Sequence, residues 1–218
     1  MKSPRGTLLN VGLAGILAGF AGSPLITEAA AADANYEAEL SPLNSTTTGS
    51  DASGEASFVI SGDQMTIRVT AKGVPPGIEH LQHFHGFATG DQQSVCPVAS
   101  SDANGDGVID IKETEALAGE TMVPFQGDPV GMQIVVDTYP KAAADGTYTY
   151  EKTVPLKALE DAFTGKYTGQ SLDLERRVVF LHEVAMTTQL AASVASLGDI
   201  PAQVTIPIAC GAIEKSTD

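Results

Sequence analysis

The stretch ASFVISGDQMTIRV, residues 56–69, determines the fold class of this chain. Apolar and polar residues alternate on both sides of a turn at 61–63, and this period of two is typical of a β-hairpin. Short strands separated by turn residues predict an all-β domain, a Greek-key β-barrel or sandwich of about eight antiparallel strands with long loops and short helices. The other predicted strands are at 36–43, 80–87, 132–136, 147–153, 178–184 and 204–209.

Helices are expected to be few and short: one after Glu113, one over 156–163 and part of 186–197. The segment 88–131 is too long for a plain connection between strands. We therefore expect it to hold a site of its own.

The chain is acidic, with 27 Asp and Glu against 12 Lys and Arg and a net charge of −15. So few basic residues cannot form a phosphate-binding surface, and no nucleic-acid partner is expected. With 43% hydrophobic and 18% charged residues, the chain is too apolar to be wholly disordered. Its 218 residues fit one domain.

Residues 1–34 are predicted to be a signal peptide and 35–218 the mature β-domain. Two basic residues precede an apolar run at 8–20, and a tract of small residues follows. The alternative is a membrane anchor, but the run is shorter than the roughly 20 residues that a spanning helix needs. We therefore expect cleavage, no membrane association afterwards, and a periplasmic or secreted protein.

Cys96 and Cys210 are the two cysteines of the chain. In an exported protein an isolated pair is most simply one disulfide, and the alternative is two free thiols. The disulfide would connect the long segment 88–131 to the C-terminal part of the chain.

The stretch DANGDGVIDIKE, residues 102–113, matches the twelve-residue EF-hand loop at every ligand position. Gly107 stands where the loop needs a sharp turn. The alternative is an acidic surface turn. Since Cys96 and Pro97 precede the loop in place of an entering helix, we expect a single structural calcium site. The candidate calcium ligands are Asp102, Asn104, Asp106, the Val108 carbonyl, Asp110 and Glu113.

All four histidines lie in two segments: HLQHFHG, residues 80–86, and a later apolar strand that contains His182. His83 and His85 are two residues apart, so a strand places both imidazoles on one face. His80 has the opposite parity and is expected to be structural or to support the ligands. Neutral imidazoles suit copper or zinc.

Three segments resemble Cu/Zn superoxide dismutases. GIEHLQHFHGF at 77–87 and RVVFLHE at 177–183 are similar to the two copper-ligand strands of that family, and IACGAI at 208–213 resembles its C-terminal Ala-Cys-Gly segment. The order of these segments agrees with the family across 36–213. The resemblance implies a Greek-key β-barrel, a disulfide from the C-terminal cysteine to the long loop, and three copper ligands: His83, His85 and His182.

The chain departs from this family at several positions. No histidine lies between His85 and His182, so the bridging and zinc-binding histidines are absent and no zinc is expected. Pro207 stands where the resemblance implies an anion-guiding arginine. The chain also looks like secreted bacterial proteins related to chordin-type (CHRD) domains, some of which have a similar histidine cluster and calcium loop.

These patterns predict an exported metal-binding protein with calcium at 102–113 and copper at the three histidines. The first alternative is an active copper-only superoxide dismutase, which would act on superoxide. A further alternative is a chordin-like interaction module in which His83 and His85 merely pack. No Ser-His-Asp or Cys-His pattern indicates hydrolysis. The oligomeric state is not predicted.

Overall fold

The computed structural model describes Met1, residues 33–90 and residues 92–217. Most of the predicted signal peptide, 1–34, lies outside the described residues. The described part contains nine strands and four α-helices. The strands are β1 (Ala34–Pro42), β2 (Ser53–Ser61), β3 (Gln64–Lys72), β4 (Gln82–Gly86), β5 (Glu120–Pro124), β6 (Tyr148–Pro155), β7 (Val178–His182), β8 (Pro207–Ala212) and β9 (Glu214–Lys215). The helices are α1 (Ser45–Thr48), α2 (Ile111–Ala118), α3 (Leu156–Lys166) and α4 (Ala202–Thr205).

The β2–β3 hairpin forms where the alternating pattern predicts it. Ser61 pairs with Gln64 across the turn, and Gly62 has a φ of 58° there, which glycine adopts without steric cost. Phe58 and Ile67 are cross-strand partners and both are fully buried. The polar residues between them lie on the opposite side of the hairpin, as the period of two requires.

The strands form one antiparallel sheet that curls into a half-barrel. Their order is β5-β4-β7-β8-β1-β2-β3-β6, and the short β9 pairs with β1. The predicted fold class, an all-β barrel or sandwich of about eight antiparallel strands, is confirmed.

Strands β4 and β7 are buried on both faces, since all five residues of each strand are buried. One face contributes Phe84 and Leu181 to the main hydrophobic core. The opposite face packs on a smaller cluster that includes the end of α2. The segment between β4 and β5 therefore covers this second face. The buried members of the smaller cluster are Ala118, Val178, Phe180 and Cys210.

The strand predicted at 132–136 is wrong. A 3₁₀ turn at Pro129–Gly131 precedes this stretch, and Met132 has a positive φ of 55°. The apolar side chains that suggested a strand, residues 134–136, are exposed. Strand β5 was not predicted. Within the described residues no helix forms over 186–197, whereas α2 and α3 lie close to their predicted positions.

Among the residues that the structure describes, no helix is both long enough and apolar enough to cross a membrane.

Candidate metal centre

The second face of β4 and β7 brings three histidines together. His83 pairs with Phe180, so the alternation along each strand places His83, His85 and His182 on the same face. Phe84 lies between the first two histidines in the sequence and points into the main core instead. The expected sharing of a face by His83 and His85 is therefore observed, and His182 joins them.

The three imidazoles converge on one point. One ligand atom from each residue lies within 4.8 Å of the other two. The rings of His83 and His182 have their centroids 4.7 Å apart, and those of His83 and His85 are 4.8 Å apart. Each residue is only 4–6% exposed. Within 33–90 and 92–217 this is the one group of His, Cys, Asp or Glu side chains that converges in this way, and it could hold a metal ion.

Backbone carbonyls orient two of the three rings. Nδ1 of His85 donates a hydrogen bond to the carbonyl oxygen of Gly119 at 3.0 Å. Nδ1 of His182 donates to the carbonyl oxygen of Thr205 at 2.9 Å. Because the proton is on Nδ1 in both rings, each neutral ring has its lone pair on Nε2. This arrangement is typical of metal-binding histidines, whose second nitrogen is held by a hydrogen bond.

Two ring nitrogens of the cluster are buried without a partner. They are Nδ1 of His83 and Nε2 of His182. An unpaired buried polar atom costs about 1–3 kcal/mol, so such atoms call for an explanation. A metal ion that accepts both lone pairs would supply one.

Burial keeps the cluster neutral. Desolvation, and next the charge of His182, lower the pKa of His85 to about 3, and desolvation lowers the pKa of His182 to about 4. Desolvation and the other two imidazoles lower the pKa of His83 well below its ordinary value. Neutral imidazoles are the form that binds metals, so no proton has to be displaced near pH 7.

His80 lies outside the cluster, behind His182. Its Nδ1 is 3.0 Å from the carbonyl oxygen of His182, and its Nε2 is 2.8 Å from the carbonyl oxygen of Pro75. The ring stacks on Tyr148 and is completely buried. Burial outweighs both hydrogen bonds and lowers the pKa of His80. His80 thus contacts the backbone of a cluster member and contributes no atom to the convergence point.

Three contacts of the cluster could not be predicted from residue types. Gly119 and Thr205 act through carbonyl oxygens, which every residue has. The third contact is the Thr121 hydroxyl, 3.1 Å from Nε2 of His83. Thr121 lies on β5, a strand that was not predicted. Of these three residues, only Gly119 could be placed from the sequence, because a glycine just after a helical segment often marks the end of the helix.

The acidic loop at 102–113 behaves differently, because its oxygens accept hydrogen bonds from the backbone. Asp102 accepts from three N–H groups of the loop at 2.8–3.2 Å, and Glu113 accepts from Ala103 at 2.7 Å. The other candidate side-chain ligands are engaged in the same way. Asn104 accepts from the N–H of Asp106, Asp106 from the N–H of Val108, and Asp110 from the N–H groups of Lys112 and Glu113.

Two carboxylates of the loop also contact the segment before α4. Asp106 accepts a hydrogen bond from the Ser193 hydroxyl at 2.6 Å, which is the main reason that the pKa of Asp106 is lowered. The buried Asp110 accepts from the N–H of Ala195 at 2.7 Å. Asp110 is also the N-cap of α2, the helix that ends beside Gly119. The loop is thereby connected to the cluster through α2.

The predicted disulfide is present. Cys96 and Cys210 are bonded, with their Cα atoms 5.8 Å apart. The bond joins the segment that covers the histidines to strand β8. Cys210 packs in the smaller cluster beside Phe180, whose ring lies 4.7 Å from that of His85.

Comparison of the sequence with models of known protein families found no match. A comparison with curated proteins found no match either. The fold and the site by themselves define the class of protein. It is a β-domain with a buried three-histidine cluster that could hold a metal.

Proposed function

We propose that this chain is an exported metal-binding protein that holds copper at His83, His85 and His182. The observation that carries the proposal is the pair of buried, unpaired ring nitrogens in a cluster of three convergent imidazoles. Hydrogen bonds engage Nδ1 of His85 and of His182, which leaves Nε2 of both residues for a metal. In His83 the contact is at Nε2, which leaves Nδ1.

The chemistry of the donors supports copper over other ions. The convergent group consists of imidazoles alone, without the carboxylates that magnesium, calcium or manganese prefer. Among the divalent ions that imidazole suits, copper binds most tightly. A neutral ligand set in a buried site also disfavours high charge, so monovalent copper suits it well.

Binding of the metal is favoured over rapid dismutation of superoxide. Superoxide is an anion, and a chain of net charge −15 repels it unless a local basic group offsets the field. The low exposure of the three histidines also limits access to a bound ion. A copper-only superoxide dismutase is therefore the first alternative, and a chordin-like interaction module is the second.

Calcium at 102–113 is the second part of the proposal. Its support is the EF-hand spacing together with Gly107, whose φ of 86° gives the turn that the sixth position of such a loop needs. Glu113, the candidate bidentate ligand, stands in the first turn of α2. The role proposed for calcium is to order the segment that covers the histidines. The disulfide supports export to an oxidising compartment.

Metal titration of the isolated protein tests the copper site. Metal-free wild type is titrated with Cu(II), followed by visible absorbance and EPR, and with Cu(I) in competition with a chromophoric chelator. We expect one copper per chain, and we expect His182→Gln to lower the affinity more than about 100-fold, since loss of a supporting contact alone costs about 10–100-fold. Asp161→Ala, which removes an exposed carboxylate of α3, is the control and should bind as wild type does.

The outcomes separate the candidate functions. Absence of stoichiometric copper from the wild type overturns the copper site and leaves the interaction module. Copper bound without faster decay of superoxide supports metal holding. Faster decay that disappears in His182→Gln establishes the dismutase. Zinc bound in preference to both copper ions overturns the choice of metal while retaining the site.

A further inference from the structure

We propose that Thr121 is a positioning residue that selects Nδ1 of His83 as a metal ligand, an inference that rests on the metal-binding function proposed above. Oγ1 of Thr121 is 3.1 Å from Nε2 of His83 and 3.4 Å from Nε2 of His85. The carbonyl oxygen of Thr121 accepts a hydrogen bond from the Tyr167 hydroxyl at 3.0 Å. The hydroxyl of Thr121 is thus held between two imidazoles.

A β-bulge brings Thr121 to this place. Val123 pairs with Phe84, but the next residue of β4, His85, pairs with Thr121 and not with Met122. The extra residue turns the fully buried Met122 into the main core and leaves Thr121 on the face of the histidines. A regular strand would have placed a methionine side chain opposite His85.

The positions of the protons follow from the acceptors around the rings. The carbonyl of Gly119 can only accept, so His85 carries its proton on Nδ1 and a lone pair on Nε2. In the metal-free protein the single hydroxyl proton of Thr121 can point to that lone pair at 3.4 Å. Oγ1 then accepts a hydrogen bond from Nε2–H of His83, and Nδ1 of His83 retains the lone pair. A metal ion bound at Nε2 of His85 would displace the longer contact with His85 and leave the hydrogen bond with His83 in place.

The opposite tautomer of His83 would place an N–H group in the protein interior without an acceptor. Nδ1 of His83 is buried and has no hydrogen-bond partner, and buried N–H groups without acceptors are rare. The hydroxyl of Thr121 therefore favours the tautomer whose free lone pair is available to a metal. Backbone carbonyls do the same for the other two histidines, so among these three contacts only Thr121 acts through a side chain.

The isosteric substitution Thr121→Val tests this role, because it removes the hydroxyl and keeps a β-branched side chain of the same size. Nitrogen-15 NMR of the metal-free protein reports which nitrogen of His83 carries the proton. We expect Nε2–H in the wild type and a shift toward Nδ1–H in Thr121→Val. We also expect the affinity for Cu(I), measured by chelator competition, to fall about 10–100-fold.

Two variants serve as controls. Thr121→Ser keeps the hydroxyl and should restore both the tautomer and the affinity. Thr153→Val makes the same substitution on β6, where the hydroxyl contacts that of Thr66 at 2.8 Å, and should change neither. A wild-type tautomer and an affinity within twofold in Thr121→Val overturn the inference. If the wild type binds no copper, the proposed function fails, and the NMR measurement still decides whether Thr121 sets the tautomer.

Discussion

The histidine cluster and the acidic loop are both candidate cation sites, yet they are built in opposite ways. The cluster is buried, its donors are neutral, and two of its ring nitrogens have no partner. The loop at 102–113 is only partly buried, four of its six candidate ligands are carboxylates, and their oxygens accept backbone N–H groups. The conformation of the loop is therefore stabilised by its own hydrogen bonds. In the cluster, by contrast, burial leaves nitrogen lone pairs without a hydrogen-bond partner and without water.

This difference implies different costs for the metal-free protein. Each unpaired buried nitrogen of the cluster destabilises the fold by about 1–3 kcal/mol, because it has lost its hydrogen bond to water and has formed none within the protein. The loop carries little such cost, since its hydrogen bonds do not depend on a cation. The cluster should accordingly respond strongly to protons and metals, and the loop should respond more weakly.

The largest expected effect is the loss of stability of the metal-free protein in mild acid. The pKa of His85 is about 3 and that of His182 about 4 when folded, and that of His83 is also lowered, against about 6.5 when unfolded. Below pH 6.5 the unfolded chain takes up protons that the folded chain does not, so stability falls with pH until the folded values are reached. At up to about 1.4 kcal/mol per pH unit and histidine, we expect about 3–5 kcal/mol less stability at pH 5 than at pH 6.5.

Urea unfolding at pH 7, 6 and 5 measures this loss. His182→Gln should reduce it by about a quarter to a third, because it removes one of the three cluster histidines, and the pKa of His80 is lowered as well. The loop responds in a different pH range. The pKa of Asp106 is lowered, so its ionised carboxylate stabilises the fold above about pH 3.8, and this stabilisation is lost only as the pH falls below that value. A free energy of unfolding that stays constant between pH 7 and pH 5 contradicts the account of the cluster.

The next effect is that of Asp110→Ala, which removes one of the contacts between the loop and its surroundings. The substitution removes the N-cap of α2 and leaves the N–H of Ala195 without its acceptor. A lost cap costs about 0.5–2 kcal/mol, and a lost hydrogen bond to a charged group about 1.5–3 kcal/mol. We expect the free energy of unfolding to fall by about 2–4 kcal/mol in urea titration.

Asp63→Ala is the matched control for this variant. Asp63 is an exposed turn carboxylate whose oxygen contacts the side chain of the neighbouring Gln64 at 3.4 Å. Its removal should change stability by less than about 0.5 kcal/mol. An Asp110→Ala protein as stable as this control would mean that the loop is not anchored through Asp110.

The comparison also explains which features the sequence could predict. The fold class and the pair His83 and His85 followed from alternation, which depends only on the local geometry of a strand. Assignment of His182 as their partner required a family resemblance, because pairing of β4 with β7 joins residues about a hundred positions apart. The disulfide was predictable because the chain has two cysteines and a signal-like N-terminus.

The contacts that orient the histidines escaped prediction for physical reasons. Carbonyl oxygens leave no trace in residue type, and the bulge that presents Thr121 depends on the pairing of β5 with β4. The stretch 132–136 shows the converse, since its apolar residues 134–136 have a strand-like composition but lie exposed after a 3₁₀ turn. Composition alone does not show whether an apolar run finds a partner strand.

The smallest expected effect is that of calcium on the loop, which should respond more weakly than the histidine cluster. Extracellular EF-hand-type sites have dissociation constants of about 10⁻⁴–10⁻³ M, so about 10 mM calcium exceeds them roughly 10–100-fold. Binding to the folded state alone then adds about 1.4–2.7 kcal/mol. For a domain of this size we expect the melting temperature to be about 3–8 °C higher in calcium than in a chelator.

Glu113→Gln makes this measurement specific to the loop. It removes the charge of the candidate bidentate ligand, while the amide oxygen can still accept the N–H of Ala103 and only the bond from the N–H of Asp110 is lost. The calcium-dependent shift should then disappear, and the melting temperature in chelator should fall only by the effect of that one hydrogen bond. A wild type whose midpoint is the same in calcium and in chelator would show that hydrogen bonds alone order this loop. The role of calcium would then fall, while copper binding by the histidines, which share no ligand with the loop, would stand or fall on its own titration.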